Sequence, residues 1–309
     1  MDALVTGGAG FIGSHLVDAL LARGDRVRVL DDLSTGRREN LAAAAELVEG
    51  SVADEHAVAR AVDGIEVVFH LGALGAVARS VADPRASNAA NVDGTLHVLT
   101  LARDAGVRRV VFASSSSVYG GAEVVPTPES TPLRPRSPYA NTKLAGEWYV
   151  RLFAELYPIE TVALRYFNVF GPRQRPDSTY AAVIPLFAAA LLEGERPTVH
   201  GDGTQSRDFT FVSDVVAANL AAAAADPARA SGQAFNVAPG AGTSLLELLD
   251  GLAACIGVTP DPVFVDPRPG DVKISCADAS AARDVLGWAP TVSVADGLAR
   301  YVDWLRATS

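Results

Sequence analysis

Short apolar runs alternate along this chain with longer segments whose apolar residues recur every three to four positions. The first run, 3–6, breaks at a glycine-rich turn and gives way to a segment with Ile12, Leu16, Ala19 and Leu20 on one side, which predicts strand, turn and helix. The alternation continues with strand 26–30, helix 39–48, a short strand near 47–50, helix 54–62, strand 65–73 and helix 88–105. Strand 108–115, a helix opening at Pro138 and a strand from 161 that runs into a loop follow. Strands alternating with helices at this spacing predict an α/β fold built on a parallel, doubly wound sheet. From about 171 the composition changes to polar loops between helices at 180–192, 244–256 and 295–306, with a segment at 234–238 placed to rejoin the main sheet. The expected division is a first domain over 1–167, with a return contribution near 209–238, and a smaller mixed C-terminal lobe over 168–309.

In such sheets ligands bind beyond the carboxyl ends of the strands, so the loops at 7–13, 31–36, 71–77 and 114–120 should share one crevice. Gly7, Gly10 and Gly13 permit a tight turn, close backbone approach and close helix packing, and they aim a helix N-terminus at a pyrophosphate, as in a Rossmann-type dinucleotide site. Asp31 ends the second strand, where a carboxylate accepts hydrogen bonds from the adenosine ribose and repels a 2′-phosphate. NAD is thereby favoured over NADP, while Arg37 and Arg38 stand near enough in sequence to keep NADP open. Tyr139 and Lys143 are four residues apart and share one helix face. An ammonium beside a phenol pulls its pKa toward neutrality and makes it a usable general base. Four hydroxyls, Ser114 to Ser117, end strand 108–115 on the same crevice, where one can bond a substrate oxygen beside Tyr139. His70 reads as a packed strand residue, and Arg175, Arg207 and Arg268 as loop cations placed to hold phosphate.

Composition narrows the field. The 309 residues are 49% apolar and 20% charged, an ordinary globular balance with ample length for a large core. A net charge of −10 argues against a nucleic-acid surface or an anionic-membrane patch, so an anionic ligand must be captured by local cations and backbone amides. Cys255 and Cys276 form no disulfide framework and no metal-like spacing, as expected of a reducing, cytoplasmic setting. The chain begins directly on an apolar strand without a leader pattern, and no apolar stretch approaches a membrane span.

Taken together, VTGGAGFIGSHL, DDLSTG, NVDGT, SSSSVYG, YANTK, RYFNVFGP, GDGTQSRDF and RPGD, in that order over residues 4–273, resemble the nucleotide-sugar epimerase/dehydratase family of the extended short-chain dehydrogenases/reductases. The LGW and GL..YVDWL elements of the C-terminus also fit. The resemblance implies a tightly bound NAD regenerated in each cycle and a UDP-sugar substrate inverted at C4 through a transient 4-keto sugar. Tyr139 would take the proton from the 4-hydroxyl, Lys143 would hold the ribose hydroxyls and lower the tyrosine's pKa, and Ser115 falls at the catalytic Ser/Thr position. Around the cofactor the matched positions are Phe11 and Ile12 beside the glycines, then Asp32, Ser34, Thr35 and Gly36 after Asp31. Ser51 and Val52, then Leu71, Gly72 and Ala73, and finally Asn91, Ser114 and Tyr166 complete them. Ser51 stands where the family usually has an acidic residue near the adenine. Toward the sugar nucleotide the resemblance points to Ser114, Ser116, Asn168, Val183, Arg207 and Arg268, with Asp271 at the nucleotide end and His200 in place of the uracil-pocket aromatic.

Family dehydratases carry an Asp and a Glu directly after the catalytic Ser/Thr, and here those places are Ser116 and Ser117. Without those proton carriers elimination has no route, so the expectation is epimerisation. For the sugar, Ser275 is a small residue at a position that is bulky in glucose/galactose-restricted relatives, which leaves room for an N-acetyl group. Arg175 resembles relatives acting on UDP-glucuronate, yet Asn168 is the glucose-type residue. UDP-glucose/galactose and UDP-glucuronate/galacturonate stand together, with UDP-N-acetylhexosamines next. A sugar reductase would prefer NADPH, which Asp31 opposes, and a non-catalytic NAD-sensing protein would carry a damaged Tyr/Lys pair. In relatives the helices matching 88–105 and 139–156 form a four-helix dimer interface, so a homodimer is expected.

Overall fold

A computed structural model describes residues 1–176, 182–267 and 272–308. The chain lays down β1 (Asp2–Thr6), α1 (Phe11–Ala22), β2 (Arg26–Asp31), β3 (Glu46–Glu49), α2 (Glu55–Val62) and β4 (Val67–His70). Next come α3 (Val77–Ala82), α4 (Pro84–Asn88), α5 (Gly94–Asp104), β5 (Arg109–Ser115), α6 (Pro138–Leu156) and β6 (Glu160–Tyr166). These six strands and a later one, Gln233–Val237, make a seven-stranded sheet whose neighbouring strands all run parallel. From one edge the order is Gln233–Val237, β6, β5, β4, β1, β2, β3. The order reverses between β1 and β4, and a crevice opens there beyond the strands' carboxyl ends. Burial on both faces explains the unbroken apolar runs: all of β4 and all but the last residue of β5 are buried.

Most predicted elements form within a few residues of their expected limits; helix 39–48 does not. Only one tight turn, Arg38–Asn40, appears there, and Glu46–Glu49 instead pairs with β2 from Arg28↔Glu46 to Asp31↔Glu49. Alanine favours a helix, but Ala42, Ala43 and Ala44 lie exposed and offer no face to bury, so strand pairing wins. The predicted helix 88–105 starts earlier, at Pro84, and contains a wider π turn over Ala89–Asp93 that turns Asn91 inward. Ser137 caps α6 by accepting from Ala140 N, with Pro138 in the first turn, and this fixes where Tyr139 enters the crevice.

Beyond β6 the chain forms β7 (Val169–Phe170), α7 (Val183–Glu193), β8 (Thr198–His200), β9 (Ser206–Asp208), β10 (Thr210–Phe211) and α8 (Val212–Ala224). It continues through α9 (Pro227–Ala230), the seventh sheet strand β11 (Gln233–Val237), β12 (Gly242–Ser244), α10 (Leu245–Ile256), β13 (Val263–Val265), β14 (Ile274–Ser275) and α11 (Val294–Thr308). Val215, Ala218 and Ala222 of α8 pack with Leu16 and Leu20 of α1 in the main core. Phe187, Leu248, Leu252 and Tyr301 form a separate core for the small sheets of the C-terminal lobe. Asp208, fully buried, accepts from Gly240 N, Ala241 N and Ala277 N, and so ties β9 to the segments that wall the crevice. Among the described residues no helix is long and apolar enough to cross a membrane.

Candidate active site

The crevice contains a cavity of about 560 Å³ over the carboxyl ends of β1, β2, β4 and β5. Its floor is the glycine turn. Gly7 takes φ +69° and its nitrogen donates to Leu30 O at 2.8 Å, and a methyl group on it would meet Gly72 N at 2.8 Å. A Cβ on Gly13 would lie 2.1 Å from Gly7 O, so α1 seats against the turn only without a side chain there. At the end of β2, Asp31 accepts from Ala9 N and Leu33 N, both at 2.9 Å. Burial pushes its carboxyl up while these two amides favour the ionised form. Arg38 pairs with Glu49 at 2.7 Å and Arg37 with Glu39 at 3.3 Å, so both cations face carboxylates of the chain itself. A glycine floor that lets a ligand reach the backbone, with a carboxylate at the second strand's end and no cation paired with it among the described residues, fits a dinucleotide without a 2′-phosphate.

All the cofactor positions expected from sequence line this cavity except two. Gly36 instead packs under Asp31, where a Cβ would come within 2.7 Å of Oδ1. Asn91 sits behind the wall, accepting from Leu74 N at 2.8 Å and donating to Leu74 O at 3.1 Å. Leu74 and Gly75, from the loop expected at the crevice, also line it, and so do Ala86 of α4 and Ala89 and Ala90 of the π turn, small residues that had no sequence signal.

A second cavity, about 910 Å³, continues toward the C-terminal lobe and shares Ile12, Ser114, Tyr139 and Tyr166 with the first. Tyr139 therefore stands at the junction of the two. Burial raises the pKa of its phenol, while the neighbouring Ser115 side chain favours the ionised form. The expected fall toward neutrality is absent because Lys143, on the same face, sends its Nζ to Ala113 O at 2.8 Å and lies 5.0 Å over the Phe112 ring. Burial pushes the Lys143 ammonium down to about 8, opposed by the Glu147 carboxylate one turn on. Glu147, also buried, accepts from the Ser114 hydroxyl and from Arg165 Nε and Nη2 at 2.9 and 2.7 Å. Arg165 donates on to Tyr119 at 2.8 Å.

Ser115, Ser116, Asn168, Arg207 and Ser275 line the second cavity, joined by Ser117, whose buried hydroxyl oxygen has no hydrogen-bond partner among the described residues. Asn168 holds its place through a left-handed backbone, φ +30°, and a bond to Asp208 O at 3.0 Å. Tyr119 lines it from the loop 114–120 expected there, whereas Arg136, Thr127 and Val272 are lining residues that sequence reasoning missed; Arg136 was hidden in a proline-rich loop with no motif. Arg175, Val183 and His200 do not line it. His200 instead pairs with Val265 of β13, and its Nδ1 donates to Asp266 O at 3.2 Å. Arg268 and Asp271 lie outside the described residues.

The model for the NAD dependent epimerase/dehydratase family matches residues 3–238. A UDP-glucose 4-epimerase of Mycolicibacterium smegmatis is 45% identical over the full length of both chains. Among solved structures, a UDP-glucose 4-epimerase of Thermotoga maritima with UDP-glucose superposes with a TM-score of 0.95 at 40% identity, covering 100% of this chain and 99% of that one. A UDP-N-acetylglucosamine 4-epimerase of Methanobrevibacter ruminantium, in complex with UDP-N-acetylmuramic acid, gives 0.94 at 38% identity with the same coverage. With the family model spanning residues 3–238 and a full-length relative at 45% identity, the chain that carries this sheet order, glycine floor and Tyr/Lys helix belongs to the NAD dependent epimerase/dehydratase family.

Proposed function

We propose that this protein is an NAD-dependent UDP-sugar 4-epimerase, with UDP-glucose and UDP-galactose as the substrate pair. The observation that carries the reading is Tyr139, set beside Ser115 where the glycine-floored cavity meets a larger polar one, with Lys143 on the same helix face. NAD, when bound in its oxidised form, supplies a positive ring and an acceptor for the hydrogen on C4. Tyr139 accepts the proton of the sugar 4-hydroxyl and later returns it, while Ser115 steadies the oxygen between its hydroxyl and carbonyl forms. Lys143 places positive charge beside that exchange and offers N–H donors to the ribose, and Asp31 takes the adenosine ribose hydroxyls. Arg207 and Arg136 supply cations to the sugar-nucleotide side. In this division residues 1–167, with the return segment, carry the cofactor and 168–309 the sugar nucleotide.

Two features set the product. Ser116 and Ser117 line the cavity with hydroxyl side chains in place of carboxyls, so water elimination lacks its acid and base. Asn168, the glucose-type residue, lines the cavity, which favours a neutral hexose over a hexuronate. The small Ser275 at the wall, with the likeness to a UDP-N-acetylglucosamine 4-epimerase, supports a second reading in which the 2-substituent is N-acetyl. Incubation of purified protein, without added cofactor, with UDP-glucose, UDP-glucuronate and UDP-N-acetylglucosamine in parallel, followed by proton NMR, should show C4-inverted sugar, fastest from UDP-glucose. A stable 4-keto or 6-deoxy product would overturn the epimerase assignment.

Trp148, Leu152 and Leu156, one turn apart on α6, expose an apolar stripe, whereas the large apolar side chains of α5 are at least partly covered. We assign the α6 stripe to a homodimer interface. Sedimentation should give a dimer at micromolar concentration, converted to monomer by Trp148→Glu together with Leu152→Glu, and a monomeric parent would refute the assignment.

A further inference from the structure

Behind the wall of the cofactor cavity runs an unbroken line of buried hydrogen bonds that the chemistry above does not use. Gly72 N donates to Thr6 Oγ1 at 2.9 Å, and Thr6 Oγ1 meets His70 Nδ1 at 2.7 Å. His70 Nε2 meets Thr95 Oγ1 at 3.0 Å, and Thr95 donates to Asn91 O at 2.6 Å. Asn91 Nδ2 donates to Thr142 Oγ1 at 3.0 Å, and Thr142 donates to Tyr139 O at 2.8 Å. Thr6, His70, Thr95, Asn91 and Thr142 are each at most 4% exposed.

The direction of every bond is fixed by its neighbours. Thr95 spends its hydrogen on Asn91 O, so it can only accept from His70, and Nε2 must carry the ring proton. Nδ1 then accepts from the Thr6 hydroxyl, whose oxygen in turn accepts from Gly72 N. Donors point one way from the cavity wall at Gly72 to the carbonyl of Tyr139, in two runs that meet at Asn91, whose backbone carbonyl ends the first and whose side-chain amide begins the second, and within each run one bond polarises the next. The imidazole lies 5.7 Å from the Phe112 ring, whose ring also carries Lys143 Nζ, so a charged His70 would set a second cation against the lysine. Burial and that lysine push the His70 pKa down to about 3, which agrees with the geometry.

We propose that His70, neutral and protonated on Nε2, is a positioning residue that locks the glycine-loop and 71–75 walls of the cofactor cavity to the first turn of α6, and so sets Tyr139 against the bound dinucleotide. His70 lines neither cavity and touches no reacting atom. It acts through Thr6 and Gly72 on one side and through Thr95, Asn91 and Thr142 on the other. The inference rests on the epimerase reading for its turnover arm alone.

Nitrogen-15 NMR of the histidine-labelled, NAD-loaded protein should show one ring with Nδ1 unprotonated and no titration across neutral pH. His70→Phe keeps the volume and removes both bonds. It should lower kcat for UDP-glucose by roughly 10- to 100-fold through misplacement of Tyr139, with KM little changed and NAD held more weakly by titration. His70→Gln, with an acceptor and a donor on one amide, should restore most of both. Parental kcat and NAD affinity in a merely less stable His70→Phe, or a ring protonated on Nδ1, would overturn the proposal. Should His70→Phe fail to fold, Thr95→Val removes the acceptor for Nε2–H and must weaken NAD binding in the same way. A parent protein inactive on every UDP-sugar would remove the epimerase reading and leave the ring-tautomer and NAD-affinity arms to decide this one.

Discussion

Tyr139→Phe will give a folded protein that still binds NAD and turns over UDP-glucose about 10²- to 10⁴-fold more slowly, the range lost when a positioned general acid–base is removed. The ring keeps its packing, and the backbone nitrogen keeps its bond to Ser80 Oγ at 3.0 Å, so neither α6 nor the cavity wall should move. Only the proton carrier at the junction of the two cavities goes. Because burial raises the phenol, the parent enters the cycle protonated and must lose that proton before it can serve as base, with Lys143 and the positive nicotinamide supplying the opposing charge. Activity should therefore climb with pH toward the phenol's pKa in the parent, and the small residual rate of Tyr139→Phe should lose that rise. Initial rates at matched NAD content across a pH series test both statements. A variant with more than a tenth of parental turnover would remove Tyr139 from the role.

The cofactor half was legible in sequence because its determinants are local. A glycine that must take a left-handed φ, a carboxylate at a strand end and a Tyr/Lys pair one turn apart each announce themselves within a short window. Where a local preference and a long-range pairing disagreed, as at Ala42 to Ala45, the pairing of β3 with β2 prevailed and the helix reading failed. The lowered phenol pKa was inferred from spacing alone. Spacing cannot show that the lysine's nitrogen is drawn to Ala113 O, nor that Glu147 and Arg165 meet beneath Ser114 from a helix and a strand 18 residues apart. The sugar-nucleotide side was least legible, since its walls come from β14, the proline-rich loop and the turn after β6, which only the assembled fold brings together.

Lys143→Met should do two opposite things: abolish turnover and make the protein more stable at neutral pH. A buried ammonium whose pKa falls from 10.5 to about 8 costs the fold about 3 kcal/mol relative to its neutral form. Methionine fills a similar volume without that cost. It leaves Ala113 O without its donor, a loss of about 1 kcal/mol, so the expected gain at pH 7 is roughly 1–2 kcal/mol. Glu147 keeps its two-point pairing with Arg165 and is not left as an isolated charge. The pH dependence gives the sharper test. Below the folded pKa of about 8 the lysine is charged in both states and the cost is constant. Between about 8 and 10.5 the unfolded chain binds more protons than the folded one, so the parent gains stability as pH rises, and above that window the cost is gone. Denaturant unfolding of parent and variant at matched cofactor content, at pH 7 and again near pH 10, should show the variant's advantage shrinking or reversing with pH. An advantage that does not change, or a variant less stable at pH 7, would mean that Lys143 is not held as a strained cation. Its place beside Tyr139 would then have to be explained by its hydrogen bonds alone.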